Sequence, residues 1–353
     1  MRIYAAYDDG LRIVDPATGA VETRLSGQRV ECLSVARADP GTDAAGAAER
    51  PRVLAGTFDA GLFRSVDGGE RFTRAAAATL GPEGSGPDPV TAVATSPHDP
   101  AVVWIGTEPS RVYRSSDGGE TAERVGGLTD LPSAGEWSFP PRPDTHPVRW
   151  IEPCPADPER WLVGVEAGAL AVTADGGATW TDRPPGSRRD THAMATHPDA
   201  PDRVYAAAGD GFAESDDRGD SWRVPDAGLD HGYVWGLAVD PADPATAVVS
   251  AAAGATTAHR RGAAYLYRYR RDGDEGDRNA DSTGDAGAFE RLADRGFPTG
   301  EGTYRAVLAS GRAAGEVWAL SNRGLFVTRD AGDSFEQVPV DLPDRAARAL
   351  AVG

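Results

Sequence analysis

The sequence predicts an all-β fold: a seven-bladed β-propeller with four-stranded antiparallel blades. Three observations lead to this prediction. A short Asp- and Gly-containing motif recurs five times along the 353 residues, pairs of short apolar strands precede its copies, and strand patterns at both ends of the chain complete one blade. Four short strands in each period of roughly 40 to 60 residues are typical of propeller blades.

The recurring motif reads Ser/Thr-x-Asp-x-Gly, and four of its five copies end in an aromatic residue three positions later. The copies are centred on aspartates separated by 50, 58, 42 and 113 residues: Asp67, Asp117, Asp175, Asp217 and Asp330. In such a hairpin the aspartate accepts backbone N–H bonds across the turn, glycine provides the positive φ, and the aromatic ring covers the core. The motif therefore predicts a hairpin between two strands of a blade.

The strand patterns divide residues 1–353 into seven blades of one domain. The predicted blades are 347–353 joined with 1–27, then 29–80, 88–128, 146–183, 190–226, 231–293 and 303–342, with inserts at 129–145 and 271–288. The C-terminal strand is expected to join the N-terminal blade, which closes the ring and removes exposed sheet edges. The polar, low-complexity insert 271–288 is predicted to be disordered.

Composition excludes several classes of protein. No run of eighteen apolar residues occurs, so no membrane span is predicted. Acidic residues lie where a signal peptide needs an apolar stretch, and we therefore expect a cytoplasmic protein. Two cysteines cannot form a disulfide framework.

The charge composition is unusual in two ways. The net charge is -18, and all 36 basic residues are arginine. The acidity is typical of proteins from a cytoplasm at high salt, and it argues against binding to nucleic acid. Without lysine, neither Schiff-base chemistry nor a phosphate-loop lysine is available.

On the five motifs and on the segment from Leu131 to Ile151, the chain resembles the BNR/Asp-box propellers, a sialidase-like or glycosyl-hydrolase-like branch of the WD/YVTN-type propellers. The resemblance implies a propeller fold and, in some members, glycosidase activity or a role in assembling complexes. The Arg-Ile-Pro motif of sialidases does not occur here. Xyloglucanases of this type place two aspartates between two propellers, whereas this chain has residues for one. These departures favour binding over hydrolysis.

The first residue of each inner strand is expected to face the mouth of the central channel. When the blades are aligned on their turns, these first residues form one column of the alignment: Arg348, Glu31, Thr91, Arg149, His192, Trp235 and Arg305. The residue two positions after each of these is apolar in every blade. Three guanidinium groups converging in an acidic protein predict a site for an anion, because guanidinium binds carboxylate or phosphate through paired hydrogen bonds. The alternative is that these arginines pair with neighbouring acids such as Glu31 or Asp190.

Histidine and tryptophan side chains near the same rim are further candidate ligand-binding residues. His146, His192 and His231 begin three adjacent inner strands. Such convergence could hold zinc, but their offsets differ, and no metal or cofactor is predicted. Trp137, in the loop between two blades, is expected either to stack on a sugar or to plug the ring.

Carboxylates follow the second strand of several blades on the same face. A glycosidase needs two carboxyl groups, one of which stays protonated. Glu108 and Glu166, on adjacent blades, are the candidate catalytic pair, with Glu152 and Asp190 in reserve. The alternative is that such residues only form turns beside glycine.

Three functions remain open from the sequence. The first is a monomeric, non-catalytic propeller that binds a small anionic or sugar ligand, or a protein partner, at the channel mouth. The second is a glycoside hydrolase that uses the paired carboxylates at the same mouth. The third is an assembly factor or scaffold.

Overall fold

The computed structural model describes residues 1–36, 50–81, 86–271 and 287–353. Across these residues the chain forms seven antiparallel β-sheets, and helix is limited to two single 3₁₀ turns, Leu128–Asp130 and Ala134–Glu136, and one π-helical turn, Thr257–Arg261. The predicted seven-bladed β-propeller is confirmed. The insert predicted to be disordered falls mainly on residues 272–286, outside the described residues.

We number the blades along the chain and give their strands from the channel outward. Blade 1 contains Ala349–Val352, Ile3–Tyr7, Gly10–Asp15 and Ala20–Arg24. Blade 2 contains Val30–Ala36, Arg52–Thr57, Gly61–Ser65 and Thr73–Ala75. Blade 3 contains Val90–Thr95, Val103–Thr107, Val112–Ser115 and Glu123–Val125. Blade 4 contains Val148–Pro153, Trp161–Val165, Ala169–Thr173 and Thr181–Asp182.

The last three blades depart slightly from four regular strands. Blade 5 has Thr191–His197, Ala200–Ala208 and Gly211–Ser215, and a single bridge between Glu214 and Arg223 stands in for the fourth strand. Blade 6 has Tyr233–Asp240, Asp243–Ala252, Ala263–Arg270 and Ala288–Arg291, with the short strand Gly300–Glu301 added beside the third. Blade 7 has Val307–Ser310, Val317–Ser321, Gly324–Thr328 and Glu336–Gln337.

The C-terminal strand closes the ring as the sequence predicts. Ala349–Val352 is the innermost strand of blade 1 and pairs with the N-terminal strand from Ile3 to Ala6. Arg2 and Gly353 extend this pairing by exchanging two backbone hydrogen bonds of 2.8 Å. The inner strand of each blade contacts that of the next blade, and blade 7 contacts blade 1. The inner ends of all seven blades are thereby held around one channel.

The core lies between neighbouring blades rather than inside any one of them. Trp104 of blade 3 stacks on Trp161 of blade 4 with ring centroids 4.8 Å apart. Between blades 5 and 6 the aromatic rings of Phe212, Tyr269 and Phe289 pack within one cluster. Burial of such large apolar surfaces between blades is the main force that holds the wheel together.

Each recurring motif forms the hairpin predicted for it. In blade 5 the Ser215 hydroxyl accepts the Gly219 N–H at 2.8 Å and donates to Asp217 at 2.7 Å, while Asp217 accepts the Ser221 N–H at 2.8 Å. Gly219 has a φ of 90°, and a Cβ there would lie 2.5 Å from Leu162 of blade 4. Glycine is required both for this backbone conformation and for close packing against the preceding blade.

No helix among the described residues is long and apolar enough to cross a membrane.

The motif hairpin of blade 7 gives a first prediction. Asp330 accepts hydrogen bonds from Thr328, from the Ser334 N–H and from the Ser334 hydroxyl. Asp330→Ala is expected to lower the free energy of unfolding by about 1 kcal/mol, because these exposed hydrogen bonds are lost together. Chemical denaturation measures the change. Asp341→Ala, at an exposed aspartate without such bonds, is the control, and an equal loss in both variants would contradict the structural role of the motif.

Candidate functional site

A β-bulge places the predicted mouth residues. In five blades the ladder between the first and second strands skips one residue of the inner strand: Glu31, Thr91, Arg149, His192 and Trp235. A bulge leaves its extra residue out of the ladder and re-aims the side chain. In blades 7 and 1 the corresponding residues, Arg305 and Arg348, come just before the first ladder pair. The bulge therefore turns one side chain toward the channel in five blades, and in the other two the mouth residue lies before the ladder begins.

All seven residues of this column line one cavity of about 750 Å³ at the end of the channel. Six of the apolar residues two positions further along line a narrower space of about 100 Å³ below it: Leu33, Val93, Ile151, Leu237, Val307 and Leu350. The seventh, Met194, is buried in the core instead. The site is thus a polar mouth above an apolar channel.

Most of the arginines in the mouth have acidic partners. Arg348 donates to Glu31 at 3.1 Å, and Arg142 donates to both oxygens of Glu108 at 2.6 and 2.5 Å. Arg149 lies further from its partner, with Nε 4.0 Å from Glu166 Oε2. The pairing expected as the alternative to a ligand site is therefore present for Arg348 and weaker for Arg149.

Arg305 differs from the other arginines of the column. It is 6% exposed, and no described carboxylate lies within 4.0 Å of its guanidinium. Its Nε donates to His259 Nδ1 at 3.0 Å, its Nη1 donates to the Ala347 carbonyl at 2.9 Å, and its guanidinium lies 3.9 Å from the Trp235 ring centroid. Burial lowers its pKa, and the charges of Arg149 and Arg348 lower it further. The arrangement holds a buried cation among other cations.

His259 serves as a neutral partner for this cation. Burial, together with the neighbouring Arg305, lowers the pKa of His259 to about 3. Its Nδ1 accepts from Arg305, so Nε2 carries the proton and donates to the Tyr233 hydroxyl at 2.9 Å. His259 lies in the π-helical turn of blade 6.

Blades 4 and 5 contribute a cluster of two acids and a histidine to the mouth. His192 donates from Nδ1 to the Val234 carbonyl at 2.8 Å, and its Nε2 lies 3.6 Å from Asp190 Oδ2 and 3.8 Å from Glu166 Oε1. Burial raises the pKa of Glu166. Burial also acts to raise the pKa of Asp190, but His192 and the Ala167 N–H outweigh it and the net shift is downward.

Three predicted ligand-binding residues do not line the mouth. Trp137 is 5% exposed, donates to Ser133 and packs in the core between blades 3 and 4. His146 packs edge-on against Trp137 at 5.3 Å, and His231 stacks on Tyr265 at 4.2 Å. Their side chains are fixed by aromatic neighbours outside the cavity.

The candidate catalytic carboxylates are placed in different surroundings. Glu108 has both oxygens engaged by Arg142, whereas Glu166 lies with Asp190 and His192. The reserve residue Glu152 is outside the mouth, in the wall between blades 4 and 5, where it accepts hydrogen bonds from Trp150 and from the Thr196 backbone and hydroxyl. Burial raises the pKa of Glu152 to about 7.

Several mouth residues were not predicted. Phe139 and Arg142 come from the loop after blade 3, and Phe58 and Tyr233 add aromatic walls. The sequence of this loop did not show which of its side chains turn inward.

Comparison with known proteins supports the fold only. The sequence matches no family model and no curated protein sequence. The structure is similar to the GH74 enzyme of Niastella koreensis, with 16% identity, a TM-score of 0.64, and coverage of 99% of this chain and 52% of that one. This chain therefore spans about half the length of that enzyme.

Two smaller structures are similar over most of both chains. YCF48 bound to D1 peptide has 16% identity and a TM-score of 0.56, with coverage of 87% of this chain and 81% of that one. The β-propeller domain of Myceliophthora thermophila Cps50 (Swd1) has 12% identity and a TM-score of 0.58, with coverage of 93% and 92%. These likenesses show a propeller fold, and the Asp-box resemblance stays a prediction.

The surroundings of Glu152 give a second prediction, for stability against pH. A carboxyl group whose pKa is raised by folding stabilises the protein below the pKa of the unfolded chain, and this contribution is lost as pH rises through the folded pKa. The unfolding free energy of the wild type, relative to Glu152→Gln, is expected to fall by about 3 kcal/mol between roughly pH 4.5 and 7.5.

Denaturation at a series of pH values measures this difference. The change of this difference with pH decides the outcome. The glutamine also alters the hydrogen bonds to Trp150 and Thr196, but that contribution to the unfolding free energy does not depend on pH. Glu301→Gln, at an exposed position, is the control. A difference between the wild type and Glu152→Gln that does not change with pH would contradict the raised pKa.

Proposed function

We propose that the protein binds a small anionic ligand, one bearing a carboxylate or phosphate group, at the channel mouth without catalysing a reaction. The observation that carries this proposal is Arg305, a buried guanidinium that has no carboxylate partner among the described residues. Arg149 and Arg348 add positive charge close enough to lower its pKa.

The free-energy cost of burying the charged Arg305 guanidinium is the physical reason to expect an anion. Moving an ion out of water is costly unless an opposite charge compensates it, and here the groups that accept hydrogen bonds from Arg305 are neutral. Nη2 has no hydrogen-bond partner within the described part of the chain, so it is available to a ligand. An anion placed there would receive charge-assisted hydrogen bonds, which are stronger away from bulk water.

The size and walls of the mouth suit a small ligand with a flat or ring-shaped part. A volume of about 750 Å³ lies within the range of small-molecule sites. Trp235, Tyr233, Phe58 and Phe139 offer aromatic surfaces beside the arginines. An acidic sugar or the carboxylate of a peptide fits this combination, and YCF48 bound to D1 peptide is an example of a similar fold that holds a peptide.

Glycoside hydrolysis is the weaker alternative. Both oxygens of Glu108 are held by Arg142, which leaves this carboxylate in an ion pair rather than free to act as a base or nucleophile. Binding without turnover therefore agrees better with the geometry.

The proposal predicts that anions stabilise the protein through Arg305. Inorganic phosphate and glucuronate are the probes, titrated into the wild type while thermal unfolding and heats of binding are measured. At least one of them should raise the melting temperature saturably. Arg305→Gln is expected to weaken that binding roughly 10- to 100-fold, because about 1.5–3 kcal/mol of charged hydrogen bonding is lost.

Arg329→Gln provides the matched control. Arg329 belongs to the same blade but is 61% exposed and pairs with Glu336 away from the channel. The Arg329→Gln variant should bind the anions as tightly as the wild type does. No response to any anion, or an equal response in Arg305→Gln, would contradict the proposed site. Turnover of a chromogenic glycoside that disappears in both Glu108→Gln and Glu166→Gln would favour hydrolysis instead.

A further inference from the structure

Three hydrogen-bond acceptors from blades 4 and 5 face one another in the mouth. They are His192 Nε2, Asp190 Oδ2 and Glu166 Oε1, and the three side chains can place one donor atom each within 4.8 Å of the others. We propose that this cluster binds a divalent transition-metal ion, with one imidazole and two carboxylate ligands. This site is separate from the anion site and does not rest on it.

The neutral tautomer of His192 leaves its Nε2 able to bind a cation. Its Nδ1 lies 2.8 Å from the Val234 carbonyl, which can only accept, so Nδ1 holds a proton. In the neutral imidazole Nε2 therefore presents a lone pair to Asp190 and Glu166. The side chain of His192 is 1% exposed, and its Nε2 makes no hydrogen bond within the described residues. A buried acceptor facing two carboxylates needs a cation.

The carboxylates are also oriented for this role. Asp190 Oδ1 accepts the Ala167 N–H at 2.9 Å, which leaves Oδ2 directed at His192. Glu166 presents Oε1 to His192 and Oε2 to Arg149. Ligand groups held by backbone partners in this way are typical of metal sites, where such contacts fix the tautomer and the orientation.

The backbone leaves room for the cluster. A Cβ on Gly209 would lie 2.0 Å from Asp190 Oδ2 and 3.2 Å from the His192 ring. Any other residue at this position would displace the aspartate from its place beside the histidine.

The distances fit a small metal ion after minor rotation of the side chains. Two ligand atoms that each lie about 2.1 Å from one ion are at most about 4.2 Å apart. The 3.6 and 3.8 Å separations from His192 satisfy this limit and are too long for hydrogen bonds. Imidazole with carboxylates suits Zn²⁺ or Mn²⁺ better than Mg²⁺, which prefers oxygen ligands and retains water.

A proton is the competing occupant. A protonated His192 would donate to one carboxylate, and a protonated Glu166 would donate to His192. Arg149, whose Nε lies 4.0 Å from Glu166, also provides positive charge on one side of the cluster. The experiment must therefore distinguish a bound metal ion from a bound proton.

The test uses the untagged chain of residues 1–353 after dialysis against a chelator. Mn²⁺ is titrated and followed by the electron paramagnetic resonance of the free ion, and Zn²⁺ is titrated calorimetrically. One ion is expected to bind per chain. Asp190→Asn and Glu166→Gln should each weaken binding at least tenfold. Glu108→Gln, at a carboxylate of the same cavity that Arg142 already occupies, should leave it unchanged.

Further measurements separate a ligand role from a structural one. Zn²⁺ should raise the melting temperature of the wild type and leave that of Asp190→Asn unchanged, and Arg305→Gln should still bind the metal even though the anion site is removed. Absence of one-to-one binding, undiminished binding in Asp190→Asn, or retention of the His192 Nε2 proton in nuclear magnetic resonance spectra at saturating Zn²⁺ would overturn the proposal.

Discussion

The pairing of Ala349–Val352 with the N-terminal strand is the contact on which the mouth depends. Arg348 immediately precedes this strand, and Arg305 donates to the Ala347 carbonyl just before it. Because the ring is closed there, the first and last blades stand at a fixed spacing and the arginines of blades 4, 7 and 1 are held around one cavity. Blade packing alone would leave that seam open to fraying.

The β-bulge explains how a regular sheet can present a polar group at its inner end. In an unbroken strand, side chains alternate between the two faces of the blade, and both faces are covered by neighbouring blades. The extra residue at the bulge escapes this alternation, so Arg149, His192 and Trp235 turn along the channel while the residues on either side stay packed. Function-bearing side chains are thus added without disturbing the core between blades.

The fold and the mouth could be predicted to different depths. The hairpin motif encodes its own hydrogen bonds within seven residues, so local sequence was enough to recognise it and count blades. The mouth column could be aligned because an apolar residue always follows two positions later. The bulge itself could not be predicted, because it depends on how two strands pair, which the sequence of one strand does not show. Whether Trp137, His146 and Arg142 line the mouth could not be predicted, because packing against distant residues decides where loop side chains point.

Trp235 contacts both the cationic and the acidic part of the mouth. The guanidinium groups of Arg149 and Arg305 lie 4.8 and 3.9 Å from its ring, and the His192 ring lies 4.5 Å away. A ring that contacts cations on its face partly compensates their charge without adding an acid that would compete for a ligand. A cation on the Glu166 side would remove negative potential from the mouth and so strengthen anion binding at Arg305. By thermodynamic reciprocity, the anion would strengthen cation binding by the same factor.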